Sequence, residues 1–257
     1  MIAHTMGEVT GVRMVAENVF VLSFISSVIS STVRPGQFLN IKVAGGTDPL
    51  LRRPFSVYRT DGDRVELIFN VVGKGTSAMH AMRPGDRLDI LGPLGTPYSV
   101  DGESFETALL VGGGLGVAPL PITTEVLKQR GRRIMTFLGA RSASQIVDAH
   151  LVDVHIATDD GSRGYRGTVV DLLAETLKAT AVAAPKVFAC GPTPMLKALA
   201  VYALGASLPC EVSLEGPMAC GIGICQGCPV ELAGEDGKYA LMCKEGPAFA
   251  VERIKWS

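Results

Sequence analysis

Near its C-terminus the chain reads ACGIGICQGCPV, and Cys243 follows in the next stretch, so four of the six cysteines share one small region. Thiols grouped in this way can form disulfides, hold a zinc ion, act as a redox pair or bind an iron–sulfur cluster. Cys220, Cys225 and Cys228 follow the pattern C-x4-C-x2-C, with Cys243 as a fourth thiol, which is the spacing of plant-type [2Fe–2S] centres. A structural zinc ion would instead join the C-x2-C pair to a second pair, here Cys220 with Cys243. Gly221, Gly223 and Gly227 lie between the cysteines, where they let backbone N–H groups turn toward sulfur. Cys210 and Cys190 stand apart, the first as a core residue and the second at the end of a strand.

A second chemistry is written in three strand ends. GGGLGVAP follows the apolar run TALLV directly, and glycines in that position let the backbone approach a pyrophosphate ahead of a helix N-terminus. The spacing is not that of the G-x-G-x-x-G fingerprint, and a tight strand–helix turn without ligand is the alternative. ATDDGS and ACGPTPM also close expected strands in small or polar residues, at the carboxyl ends where open α/β sheets bind ligands. The pair Asp159-Asp160 points toward NAD, since carboxylates suit a ribose diol and repel a 2′-phosphate.

A third set lies in the first hundred residues. In RRPFSV, Arg52 or Arg53 can pair with a phosphate and Ser56 can hydrogen-bond a ring or ribityl group. NVVGKGTS follows, a loop whose backbone N–H groups can hold a diphosphate. His4, His80, His150 and His155 are scattered, and no Ser/His/Asp set or other acid–base catalytic group is expected.

The elements that must position these groups fall into three blocks. Residues 1–102 hold short Val-, Ile- and Phe-rich runs (NVFVLSF, QFLNIKV, RVELIFNVV) punctuated by RPGQ and RPGD turns, the pattern of a small antiparallel β-barrel. Residues 103–207 alternate apolar strands with helical stretches, which implies a doubly wound parallel α/β domain. Within it Val117 to Arg130 is expected as a helix, and Thr193-Pro194 as cap and first position of another. Residues 208–257 hold a short strand (CEVSLE), the cysteines and a strand-like KYALMC.

Composition limits the rest. With 47% hydrophobic and 19% charged residues the chain can bury a sizeable core. Its net charge of −1, with no basic run, argues against nucleic acid as a partner. The first thirty residues lack a signal-peptide pattern, and no run reaches the roughly 18 to 20 apolar residues of a membrane span. A cytoplasmic protein without membrane contact is expected, where clustered thiols stay reduced.

Taken in order, RRPFS, GKGTS, GGGLGVAPL, TDDGS and CGPTPML resemble the ferredoxin reductase-like flavoproteins. The tail MACGIGICQGCPV…MCKEGPAF is similar to that of the electron-transfer subunits of dihydroorotate dehydrogenase B, whose cluster domain is C-terminal. This resemblance runs from the first strands to Trp256. It implies that Arg53, Pro54, Phe55 and Ser56 contact the flavin of FAD, that Asn70, Val71 and Val72 line its ring, and that Gly75 and Thr76 meet its diphosphate. It implies one [2Fe–2S] cluster on Cys220, Cys225, Cys228 and Cys243. Gly113, Gly114 and Gly116 of the glycine loop, the stretch Thr158 to Ser162 with Asp159, and Cys190-Gly191-Pro192 would face NAD(H). The implied partner is an FMN-containing dihydroorotate dehydrogenase catalytic subunit, in a heterotetramer of two of each. Electrons would run from dihydroorotate through FMN, cluster and FAD to NAD⁺, in pyrimidine biosynthesis. A reductase subunit acting on ferredoxin or an oxygenase is the nearest alternative.

Overall fold

The computed structural model describes residues 2–43, 46, 48–101, 104–234 and 237–256. The boundary expected between residues 102 and 103 lies outside the described residues. Six strands close an antiparallel barrel: β1 (Ala3–Ala16), β2 (Val19–Ile25), β3 (Phe38–Lys42), β4 (Arg53–Asp61), β5 (Arg64–Asn70) and β6 (Arg87–Leu94). Their spatial order is β1-β2-β5-β4-β3-β6. β5 is buried on both faces, which is why RVELIFNVV does not alternate cleanly between apolar and polar residues. Val65, Leu67 and Phe69 of β5 fill the barrel with Leu22, Leu39 and Ile41, while Ile68 joins Tyr58 and Val21 in a second core under the next domain. Two short helices bridge barrel strands, α1 (Ser27–Thr32) and α2 (Lys74–Ala81). The KGTS stretch read as a loop is the first turn of α2.

The second domain is a parallel sheet flanked by helices. It contains β7 (Thr107–Gly113), α3 (Leu120–Gln129), β8 (Arg133–Ala140), β9 (Val154–Thr158), β10 (Tyr165–Arg166), α4 (Val169–Ala179), β11 (Pro185–Cys190), α5 (Thr193–Gly205) and β12 (Cys210–Ser213). All seven residues of β7 are buried, as a central strand covered on both faces requires. The expected helix from Val117 to Arg130 is split: a 3-10 turn spans Gly114–Val117, and α3 starts after Pro119, whose ring fixes the cap. At α5 the expected cap moves by one residue. Pro192, extended at φ −59 and ψ 143, takes the cap position, and Thr193 is already helical. At α4 Thr168 and Asp171 form a reciprocal capping box.

The last fifty residues are built into both domains. β13 (Pro229–Glu231) and β14 (Tyr239–Leu241) form a hairpin beside the cysteines, and β15 (Ala248–Ala250) runs antiparallel to β12. The large sheet therefore reads β10-β9-β8-β7-β11-β12-β15. Two strands from the stretch grouped as a third unit, β12 and β15, extend the nucleotide-domain sheet. Cys228, Met242 and Cys243 share one apolar cluster with Val212 and Phe249 of that sheet and with Phe38 and Leu94 of the barrel. Among the described residues no helix is long and apolar enough to cross a membrane.

Candidate functional site

The sheet order changes direction at β7, which has β8 on one side and β11 on the other. Open α/β sheets bind ligands at such a switch point, beyond the carboxyl ends of the strands. A cavity of about 520 Å³ lies there. Gly113, Gly114 and Leu115 from the end of β7, Gly139 to Arg141 from β8, Asp159 after β9, and Pro192 and Met195 after β11 line it. The barrel closes the opposite wall with Glu17, Val19 and Asn70.

A second cavity of about 420 Å³ lies between the barrel and the chain entering the cysteine loop. Pro54, Phe55 and Ser56 of β4 form one wall, with Asn70 at the end of β5 and Val72 and Thr76 beyond it. Strand β4 presents Arg53 to Ser56 half-buried, so RPFS is a cavity wall and not core. Leu115 and Ala118 contribute from the α/β side, and Leu214, Glu215, Gly216 and Met218 from the chain leading to Cys220. Asn70 and Leu115 belong to both cavities, so the two spaces meet at these residues.

Other expected residues support these walls from behind. Arg53 packs along Gly75 at the start of α2, and Thr76 Oγ1 accepts from the N–H groups of Val72 at 2.9 Å and Gly73 at 3.2 Å. Val71 accepts a hydrogen bond from Asn18 Nδ2 through its carbonyl. Gly116 lies against the Cys190 carbonyl with no room for a side chain, and Cys190 is fully buried. Neither Gly116, Cys190 nor Gly191 lines the larger cavity. Arg52 lines neither cavity, and its Nη2 donates to both Asp89 carboxylate oxygens at 2.9 and 3.0 Å.

The four clustered cysteines are free thiols, and they pair in a defined way. Cys220 contacts Cys225, and Cys228 contacts Cys243. These are not the pairs of the zinc arrangement, which would join Cys225 to Cys228. Among the described residues no three His, Cys, Asp or Glu side chains are placed to hold a single metal ion. Two facing thiol pairs fit a two-iron cluster with one pair on each iron. Backbone N–H groups already point at the sulfurs: Ile222 and Cys225 donate to Cys220, Gly223 donates to Cys243 at 3.1 Å, and Cys243 donates to Cys228. Burial alone would raise the Cys220 thiol, but the N–H groups of Cys225 and Ile222 outweigh it and bring it down to about 6. Burial, together with the neighbouring Cys228, pushes Cys243 up to about 12. Cys225 is exposed, whereas Cys228 and Cys243 are buried.

Several wall residues were not singled out from sequence. Glu215 lines the barrel-side cavity; the residue as a whole is exposed, but protein packed around its carboxyl strips water from it and raises it above the ordinary 4.5, although the Cys190 thiol, 3.9 Å away, opposes the shift. Its only sequence signal is a charged residue ending the apolar strand CEVSL. Arg141 and Glu17 carry no local signal, because only the packing of barrel on sheet brings them together.

Comparison with known proteins agrees with this arrangement. Residues 215–255 match the iron–sulfur cluster binding domain of dihydroorotate dehydrogenase B. The chain is 38% identical over 261 residues to the electron transfer subunit of dihydroorotate dehydrogenase B (NAD⁺) from Geobacillus thermodenitrificans, covering 99% of both chains. It is 36% identical, with the same coverage, to the subunit of that name from Geobacillus kaustophilus. Among solved structures it is similar to a chain of an NADH-dependent reduced ferredoxin–NADP oxidoreductase, studied for flavin-based electron bifurcation. That TM-score is 0.86 at 31% identity, over 98% of this chain and 90% of the other.

Proposed function

The chain belongs to the electron transfer subunits of dihydroorotate dehydrogenase B, and from that premise we propose how its parts divide the work. The cavity between β4 and Met218 takes FAD, the switch-point cavity takes NAD(H), and the four clustered cysteines take one [2Fe–2S] cluster. When bound, a flavin would supply both hydride exchange with a nicotinamide and one-electron exchange with a cluster, which is why it belongs between the two. The chain thereby passes electrons between an FMN-containing dihydroorotate dehydrogenase catalytic subunit and NAD⁺. Two copies of each subunit form the assembly, in the cytoplasm.

One observation carries this reading. The barrel-side cavity has Asn70 and Leu115 in common with the nucleotide cavity, and its far wall is the segment that runs into Cys220. A group bound there touches the nicotinamide space on one side and the cluster segment on the other. Phe55 and Pro54 supply apolar surface for a flat ring, and Ser56 and Asn70 supply polar contacts at its edge. Arg53, beside the first turn of α2, meets a diphosphate together with the N–H groups there. Gly113 and Gly114 admit the nicotinamide nucleotide to the end of β7, and Asp159 takes a ribose diol. None of these residues needs to move a proton for hydride transfer.

The oxidation of dihydroorotate belongs to the partner subunit. The chain alone is expected to reduce artificial acceptors with NADH and to show no dihydroorotate-dependent NAD⁺ reduction until that partner is added. Anaerobic NADH titration, followed by visible absorbance and low-temperature EPR, tests the reading. Flavin bleaching with a rhombic one-electron cluster signal supports it, and a colourless protein overturns it. The likeness to the ferredoxin–NADP oxidoreductase chain favours a second reading, a reductase subunit serving ferredoxin. Co-purification with a partner lacking FMN would favour that reading.

A further inference from the structure

Strand β3 holds Asn40 inside the apolar stretch FLNI, and it is completely buried. Its Nδ2 donates to the carbonyl oxygen of Cys220 at 3.2 Å. The contact is tight: a β-carbon on Gly221 would lie 2.6 Å from that nitrogen. The other half of the amide, Oδ1, is buried without a hydrogen-bond partner. A buried acceptor left unpaired is destabilising, so barrel stability alone would favour an apolar residue here. The asparagine is explained by what its donor holds.

The strand beneath is braced from two sides. Asn40 faces Pro54 in the β3–β4 register and Leu91 in the β3–β6 register. Arg52 donates through Nη1 to the carbonyls of Asn40 and Asp89 at 3.3 and 3.1 Å, and through Nη2 to both Asp89 carboxylate oxygens. His4 contacts the same carboxylate at 2.7 Å. One strand pair therefore presents Pro54, Phe55 and Ser56 to the barrel-side cavity and the Asn40 amide to the cysteine loop.

We propose that Asn40 is a positioning residue for the iron–sulfur centre, fixing the Cys220 carbonyl to the strand pair that also forms the flavin wall. This rests on the assignment of the [2Fe–2S] cluster to Cys220, Cys225, Cys228 and Cys243. Groups that orient metal ligands typically cost 10–100-fold in metal affinity or activity when removed.

The test uses the full chain, prepared anaerobically, as wild type and Asn40→Leu. FAD content, NADH bleaching of the flavin, the EPR g-values and midpoint potential of the cluster, and the rate of cluster reduction after NADH mixing are measured. The expected result is unchanged FAD content and flavin bleaching. The cluster signal is altered or lost, its potential is shifted, and its reduction is about tenfold slower or more. Asn40→Ala removes the donor without adding bulk and gives the same readouts should the leucine variant not fold. Variants with wild-type EPR signal, potential and cluster reduction rate overturn the proposal. A wild-type chain without the cluster signal overturns the cluster assignment itself, and this proposal with it.

Discussion

A β-carbon on Gly116 would lie 2.0 Å from the carbonyl oxygen of Cys190. The turn after β7 thus packs backbone to backbone on the end of β11, and this contact sets the spacing of the two strands that flank the nucleotide cavity. Alanine at 116 has to push one strand away, which is overpacking of a rigid interface. Gly114 differs: its β-carbon would meet open space, and only its φ of 55 disfavours a side chain. Gly116→Ala is expected to lower the melting temperature by roughly 6 °C or more and to weaken NADH binding. Gly114→Ala costs about 1–2 kcal/mol of backbone strain, a smaller shift. Thermal melts with NADH titrations of the two variants separate the cases.

Cys225→Ser and loss of the tail are expected to act differently on FAD. Cys225 is exposed, contributes one thiol, and lines neither cavity. Cys225→Ser should lose the cluster signal and keep stoichiometric flavin. Ending the chain after residue 207 removes Leu214 to Met218 from the flavin wall and β12 and β15 from the sheet. That truncated chain should purify without FAD. Flavin absorbance of the two proteins side by side checks both outcomes, and flavin-free Cys225→Ser would contradict the assignment of the walls.

Glu215 makes stability depend on pH in a stated direction. Burial is the main cause of its raised carboxyl pKa, with the Cys190 thiol acting the other way. The folded protein therefore binds a proton more tightly than the unfolded chain. Stability from this group is intact below the ordinary 4.5, declines as pH rises from there through the folded value, and is then flat. Glu215→Gln removes the penalty. Melting temperatures of the variant and wild type should coincide in acid and diverge above the ordinary carboxylate range, with the variant higher. Curves that stay parallel across the pH series would contradict the buried-carboxyl account.

The parts legible in the sequence are those whose signal is local. Apolar strands, glycine turns and the C-x4-C-x2-C spacing each carry their meaning within a dozen residues. Hence the barrel, the parallel sheet and the cysteine loop follow from TALLVGG, RVELIFNVV and ACGIGICQGC alone. What the sequence leaves hidden depends on chain separation. Asn40 and Cys220 are 180 residues apart, and nothing local in FLNIK shows that its asparagine reaches the cysteine loop. The last fifty residues are hard to divide for the same reason: CEVS reads as an isolated short strand and AFA carries no strand reading of its own, and only the pairing of β12 with β11 and of β15 with β12 joins them to the large sheet. The paired arginines are an ambiguous signal too, because Arg52 lies just before β4 and Arg53 opens it, and only the fold sends them to different partners.

The start of β4 separates the roles of Arg52 and Arg53. Arg52 is part-buried and holds Asp89 through Nη2, which donates to both carboxylate oxygens. Burial would raise the Asp89 carboxyl, but its hydrogen bonds to Arg52 and His4 hold it below the ordinary 3.8. Such a group stabilises the fold above its unfolded pKa and loses that contribution as pH falls through the folded value. Arg52→Ala should therefore lower the melting temperature at neutral pH, with the deficit shrinking in strong acid, while FAD affinity stays near wild type. Arg53 packs on Gly75 at the start of α2, its guanidinium donates to the Leu51 carbonyl, and among the described residues it has no carboxylate partner. Arg53→Ala should leave the melting temperature of the flavin-free protein nearly unchanged and weaken FAD binding about tenfold, the size of one charge-assisted hydrogen bond. Flavin release by fluorescence and melts from pH 3 to 8 on both variants check the division. Equal loss of FAD from the two would show that Arg52 also serves the cofactor.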